Sequence, residues 1–163
     1  MILNKQIGVF LNLVHNHFKK YITEVFESKG YNITPEQFIV LDTLWDEGVL
    51  SQQQISSIIL KDKNSVVKLV DRLEERGLVK RVNNVNDRRE NLIKVTNLSM
   101  KIKDEVTTLA LDAVNQIIKD IPTNKVEIFI EVLSQMGVNM NKNLNLLEIA
   151  KKYPRNKKIK SNA

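Results

Sequence analysis

Two adjacent arginines, Arg88 and Arg89, lie in the stretch NDRRENLIKVT, residues 86–96. A guanidinium donates paired hydrogen bonds to phosphate, and in a narrow groove of duplex DNA it meets a strong negative potential. A second group suited to the same target lies upstream. At about 100° per residue on a helix, Asn64, Val67, Lys68, Asp71 and Glu75 point one way, flanked by Ser65 and Arg72. Val66, Leu69, Val70 and Leu73 point the other way. The outer face carries its amide and lysine first and its acids last, so its N-terminal half is the end suited to DNA. Asn64 and Lys68 are of the types that read base edges; Ser65 and Arg72 are of the types that hold phosphate. Each feature taken singly is ordinary, because mixed-charge helix faces and surface arginine pairs are usually just solvated. Their conjunction carries the reading.

Charge placement agrees. The net charge is +6, yet the six basic residues after Glu148 account for all of it, leaving 19 basic and 19 acidic residues in the body. Within that body, residues 61–94 hold ten Lys or Arg against six Asp or Glu. Such segregation speaks to partners rather than to fold.

Other chemistries find no support. The chain has no cysteine, which excludes disulfides, thiolate zinc sites and thiol redox switches. His15 and His17 are two apart, about 200° around a helix, and cannot share a metal. The five glycines mostly end helices, and there is no phosphate-binding glycine loop, nucleophile elbow or metal-ligand cluster. No catalytic residue, metal or cofactor is assigned, and an enzyme is not expected. No apolar run approaches the ~18 residues of a membrane span. The start, MILNKQIGVF, lacks a signal peptide's pattern, so a cytoplasmic location is expected.

These groups need elements to position them. Ile7, Phe10, Leu11, Val14, Phe18 and Tyr21 have helical spacing over residues 5–28. In TPEQFIVLDTLWDEG, Thr34 is an N-cap, Pro35 suits the first helical position and Gln37 completes a capping box. Phe38, Leu41, Leu44 and Trp45 form the buried stripe of that helix, and Gly48 closes it. A short helix capped by Ser51 follows, then a turn through Lys61 and Asp62, then a helix capped by Asp62 and ended by Gly77. Residues 78–82 and 92–96 read as strands around a nine-residue loop. From Asn97 a long helix recurs through Leu98, Ile102, Val106, Leu109, Ala113, Ile117 and Ile121. Pro122 starts another, carrying Val126, Phe129, Ile130, Leu133 and Met136, with a kink near Gly137 and an extension through NKNLNLLEIAKKY.

Short helix, turn, helix, strand, charged loop, strand is the order of a winged helix-turn-helix, whose second helix enters the major groove. The fold class expected is mainly α with a small β-hairpin wing, a winged helix-turn-helix lobe plus a helical dimerisation region. One domain spans 1–153, with the lobe at about 33–97, dimerisation helices at about 5–28 and 98–150, and a basic flexible tail at 154–163.

The segments ITPEQFIVLDTLWDEG, LSQQQISSIILKDKNSVVKLVDRLEERGLVKR and NDRRENLIKVT resemble the MarR family of winged-helix transcription regulators. The resemblance places Arg89 at the minor groove with Asp87 steadying the wing. It sets Asn64, Ser65 and Lys68 on major-groove positions, and Gln52 and Gln53 near the DNA backbone. The candidate interface is therefore Gln52, Gln53, Lys63, Asn64, Ser65, Val67, Lys68, Arg72, Asp87, Arg88 and Arg89. One departure is the stretch TNLSMK, which lacks the glycine the family often has after the wing threonine. The resemblance further implies a homodimer on an inverted-repeat operator, and a repressor released by a small effector. The terminal helices supply a physical reason for the dimer, since they carry more apolar surface than a small lobe needs. The alternative is a protein-interaction module that keeps the winged fold without specific operator binding.

Overall fold

Residues 2–85 and 90–152 are described by the computed structural model, with side chains from residue 6 onward. The chain divides into two compact units, residues 1–114 and 115–163. The first holds α1 (Ile2–Ser28), α2 (Pro35–Glu47), β1 (Leu50–Ser51), α3 (Gln52–Ile59), α4 (Lys63–Glu75), β2 (Val79–Asn83), β3 (Asn91–Val95) and most of α5 (Asn97–Ile117). The expected class, mainly helical with a small hairpin wing, is what forms.

Local chemistry sets the helix starts. At α2 the Thr34 hydroxyl accepts from the Gln37 amide at 3.3 Å, and Gln37 Oε1 accepts from the Thr34 amide at 3.0 Å. Ser51 and Gln54 make the same reciprocal pair at α3, at 3.2 and 2.8 Å. Gly48 and Gly77 leave their helices at φ of 86° and 68°, a conformation that penalises a Cβ. The α4 face predicted to be apolar is sealed: Val66, Val70 and Leu73 are wholly buried, with Leu69 half-buried. They join Phe26, Val40, Leu41, Leu44, Ile55, Val79, Ile93 and Val106 in one core.

The sheet differs from expectation in two ways. The strands lie at 79–83 and 91–95 rather than 78–82 and 92–96, pairing Val79 with Val95 through Asn83 with Asn91. The loop between them is seven residues, 84–90, not nine. The turn-forming asparagines Asn83 and Asn91 extend the ladder instead of leaving it. A third strand, β1, was not foreseen. Leu50 and Ser51 pair antiparallel with Ile93 and Leu92, giving the order β1-β3-β2. Two residues are too few to show alternation.

Where a glycine was missing after the wing, Thr96 makes the junction. Its hydroxyl donates to the Gly77 carbonyl at 2.6 Å and accepts from the Ser99 amide at 3.2 Å. Ser99 is fully buried, and its Oγ accepts the Trp45 indole N–H at 3.1 Å.

The second unit contains α6 (Thr123–Met140) and α7 (Leu146–Lys152). Residues 141–152 do not extend α6. Asn141 adopts an extended conformation, and α7 is a separate helix whose start is capped by Asn145 Oδ1, 3.1 Å from the Glu148 amide. Ser134 donates to the same Asn145 oxygen at 3.2 Å, tying the two helices together. Gly137 serves this return. A Cβ there would lie 2.5 Å from the Leu144 carbonyl oxygen.

The α1 stripe splits. Ile22 and Phe26 are buried, but Phe10 is 53% and Val14 66% exposed, and Ile7, Leu11, Phe18 and Tyr21 are exposed as well. On α6, Ile128, Phe129, Ile130 and Val132 are also exposed. No helix among the described residues is long and apolar enough to cross a membrane.

Candidate nucleic-acid interface

The helix-turn-helix corner is built from α3 and α4. Helix α3 ends at Leu60, which takes a left-handed conformation at φ 54°. The turn closes when Ser56 Oγ donates to the Lys61 carbonyl at 2.5 Å. Asp62 then caps α4, its Oδ1 accepting from the Ser65 amide at 2.9 Å and its Oδ2 from the Ser65 hydroxyl at 2.6 Å. Those bonds, hydroxyl first and amide second, hold the Asp62 carboxyl below the usual carboxylate range.

Beyond this cap the predicted contact residues of α4 differ in exposure. Lys63, Asn64, Lys68 and Arg72 are exposed, while Ser65 and Val67 are half-buried. Ser65 differs from the expected phosphate ligand in one respect. Its proton already goes to Asp62, so it presents an acceptor unless that bond is exchanged. Arg72 pairs with Glu75 at 2.9 Å on the open surface, where such pairs contribute little. On α3, Gln53 is exposed, but Gln52 is half-buried. Its Nε2 is sealed from solvent without a partner among the described residues. Asp87, Arg88 and Arg89 lie outside the described residues.

The wing adds groups not foreseen from sequence. Lys80 and Lys94 stand directly opposite each other on β2 and β3, both exposed. Like charges in that relation destabilise a ladder unless an anion approaches. Only the strand register reveals the pair. The residue after Lys80, Arg81, is directed at α4. Its guanidinium donates to Asp71 Oδ1 at 2.5 Å and to Glu74 Oε2, and its amide N–H donates to Glu74 Oε1 at 2.8 Å. Partial burial disfavours its charge, but the two carboxylates outweigh this and raise its pKa. At the far end of α4, Arg76 donates to the Asn32 carbonyl and, at 2.7 Å, to Gln37 Oε1, fixing α4 to the start of α2.

Comparison with known proteins places this arrangement. Residues 33–91 match the family model described as MarR family. The HTH-type transcriptional regulator MgrA of Staphylococcus aureus is 36% identical over 87 residues, which is 53% of this chain and 58% of that protein. The chain therefore spans little more than half the length of that relative. The HTH-type transcriptional regulator MhqR of Bacillus subtilis is 25% identical over 126 residues, 77% of this chain and 83% of that protein. The crystal structure of a mutant MarR from Escherichia coli complexed with operator DNA has the same fold, with a TM-score of 0.72 at 22% identity over 80% of this chain and 92% of that one.

Proposed function

From the match of residues 33–91 to the MarR family model, we propose that the chain is a member of that family, a sequence-specific, DNA-binding transcription regulator and not an enzyme. The observation that carries the proposal is the exposed, cation-bearing N-terminal half of α4. Lys63, Asn64 and Lys68 are open to a partner there, beside a wing that adds Lys80 and Lys94. In this role α4 enters the major groove, Asn64 and Lys68 meet base edges, and Lys63 and Arg72 meet phosphates. The wing, with Asp87, Arg88 and Arg89 at its tip, lies over the adjacent minor groove. Gln53 lies near the DNA backbone, with Gln52 behind it.

The functional unit is a homodimer. Its support is the apolar surface of α1 around Phe10 and Val14, and that of α6 around Ile128 and Phe129. At ~25 cal/mol per Å² of apolar surface, burying such faces against a second copy is strongly favourable. Two-fold symmetry then sets two α4 helices about one DNA turn apart, so the operator is an inverted repeat. Occupancy of a promoter by such a dimer makes repression the expected outcome, and a small effector that favours an unbound arrangement would relieve it. The site of action is cytoplasmic.

The test is selection of duplexes from a random pool by the full chain, followed by binding to the enriched duplex at several salt concentrations. Expected are one inverted-repeat motif, two chains per duplex and an affinity that falls steeply with salt. Equal binding to every duplex, or none to any, refutes the proposal.

A further inference from the structure

Resting on the reading that α4 and the wing meet DNA together, we propose that Arg81 is a positioning residue that locks the wing to the recognition helix, and that operator discrimination depends on this lock. Asp71 and Glu74 are three residues apart on α4, one turn of the same helix edge. Arg81 spans both of them from β2, and its own backbone amide also engages Glu74. Three hydrogen bonds therefore fix one point of the strand against the helix, two of them between charged groups. A planar guanidinium presents its donors at a fixed spacing that suits two carboxylates at once; an ammonium on a flexible stem has three donors but no such fixed geometry. The Arg81 side chain is 25% exposed, so water competes weakly for the bonds. Arg81 lies two residues before the end of β2, and the strand runs from it directly into the wing loop. A tilt of the strand about this point displaces the paired wing strands, with Lys80 and Lys94, relative to Asn64 and Lys68. The helix and the wing then no longer match one duplex geometry.

The lock makes a prediction opposite in sign to that of net charge. Removing Asp71 and Glu74 deletes two negative charges close to the proposed DNA face. If charge alone matters, an Asp71→Ala/Glu74→Ala variant binds every duplex more tightly. If the lock matters, the same variant loses discrimination.

The experiment uses the full chain, a duplex enriched by the wild-type protein from a random pool, and a scrambled duplex of the same composition. Affinities for both are measured for the wild type, the double variant and Arg81→Lys. Far-UV circular dichroism and Trp45 fluorescence check that each protein is folded. The double variant is expected to lose about ten-fold or more in affinity for the enriched duplex, on the scale of a single base-specific interaction. Its affinity for the scrambled duplex is expected to hold or rise. Arg81→Lys, which keeps the charge and loses the fork, is expected to lose discrimination in the same direction, and it decides the matter alone if the double variant does not fold. Enriched-duplex affinity that is unchanged or tighter in the folded double variant overturns the lock, as does full discrimination by Arg81→Lys. If the wild type enriches no sequence at all, the regulator reading fails and the lock falls with it.

Discussion

Replacing Ser99 by alanine probes how the winged lobe is attached to α5. The Ser99 hydroxyl is the acceptor for the Trp45 indole N–H at 3.1 Å, and the two residues are 0% and 9% exposed. Alanine removes one oxygen, so the space left is small and the cavity contribution minor. The larger effect is a buried indole donor with no partner, which costs about 1–3 kcal/mol. Taking about 2 kcal/mol as the centre, and about 2–4 °C per kcal/mol for a chain of this size, the melting temperature falls by roughly 4–8 °C. Thermal and urea unfolding are followed by far-UV circular dichroism at a single protein concentration, since the stability of the proposed dimer would depend on it. Trp45→Phe and the double variant complete a cycle. In the Trp45→Phe background the donor is gone, so Ser99→Ala should have much less effect. Strict additivity of the two substitutions, or a loss below about 0.5 kcal/mol for Ser99→Ala, would refute the reasoning.

Three further outcomes follow from the geometry. Lys68→Ala should weaken binding to the enriched duplex by about 1–3 kcal/mol and reduce discrimination; uniform weakening on all duplexes, with the salt slope smaller by about 0.9 for each phosphate no longer neutralised, would reassign Lys68 to phosphate. Gly137→Ala should destabilise the α6–α7 return, because the new methyl meets the Leu144 carbonyl at 2.5 Å; amide exchange in residues 141–152 should accelerate, and unchanged protection would contradict the close approach. Asp62 supplies a pH dependence. Its carboxyl is lowered by the Ser65 hydroxyl and amide, so its stabilisation is present above the unfolded value of about 3.9 and is lost as pH falls through the lower folded one. Asp62→Asn keeps a cap acceptor but removes the linkage, so the decline in stability below about pH 4 should become shallower; an unaltered acid limb counts against it.

What the sequence reveals here follows the range of the interaction involved. Thr34, Pro35 and Gln37 act on neighbours three residues away, so their pattern is complete in a short stretch, and the bonds form as read. The same holds for Asp62 and for the buried face of Val66, Val70 and Leu73. Arg81 was not legible, because its partners lie ten and seven residues back across a turn and are chosen by strand register. Strand β1 hid for a related reason: its two residues are defined by their partner strand, and Ser51 already had a local role as a cap. The break after Met140 did leave a signal. Asn141, Asn143 and Asn145 are turn formers, but the apolar residues Leu144, Leu146 and Leu147 among them imitate a continuing helix.

The pairing of Leu50 and Ser51 with β3 reaches further than its length suggests. It makes the lead-in to α3 and the two described wing strands parts of one hydrogen-bonded sheet, so the base of the hairpin is tied to the start of α3. A lobe built this way acts as a caliper with a set opening. If the lobe meets DNA as proposed, a duplex that departs from the ideal geometry has to yield, and binding across related sites should then track how readily their base steps bend and twist.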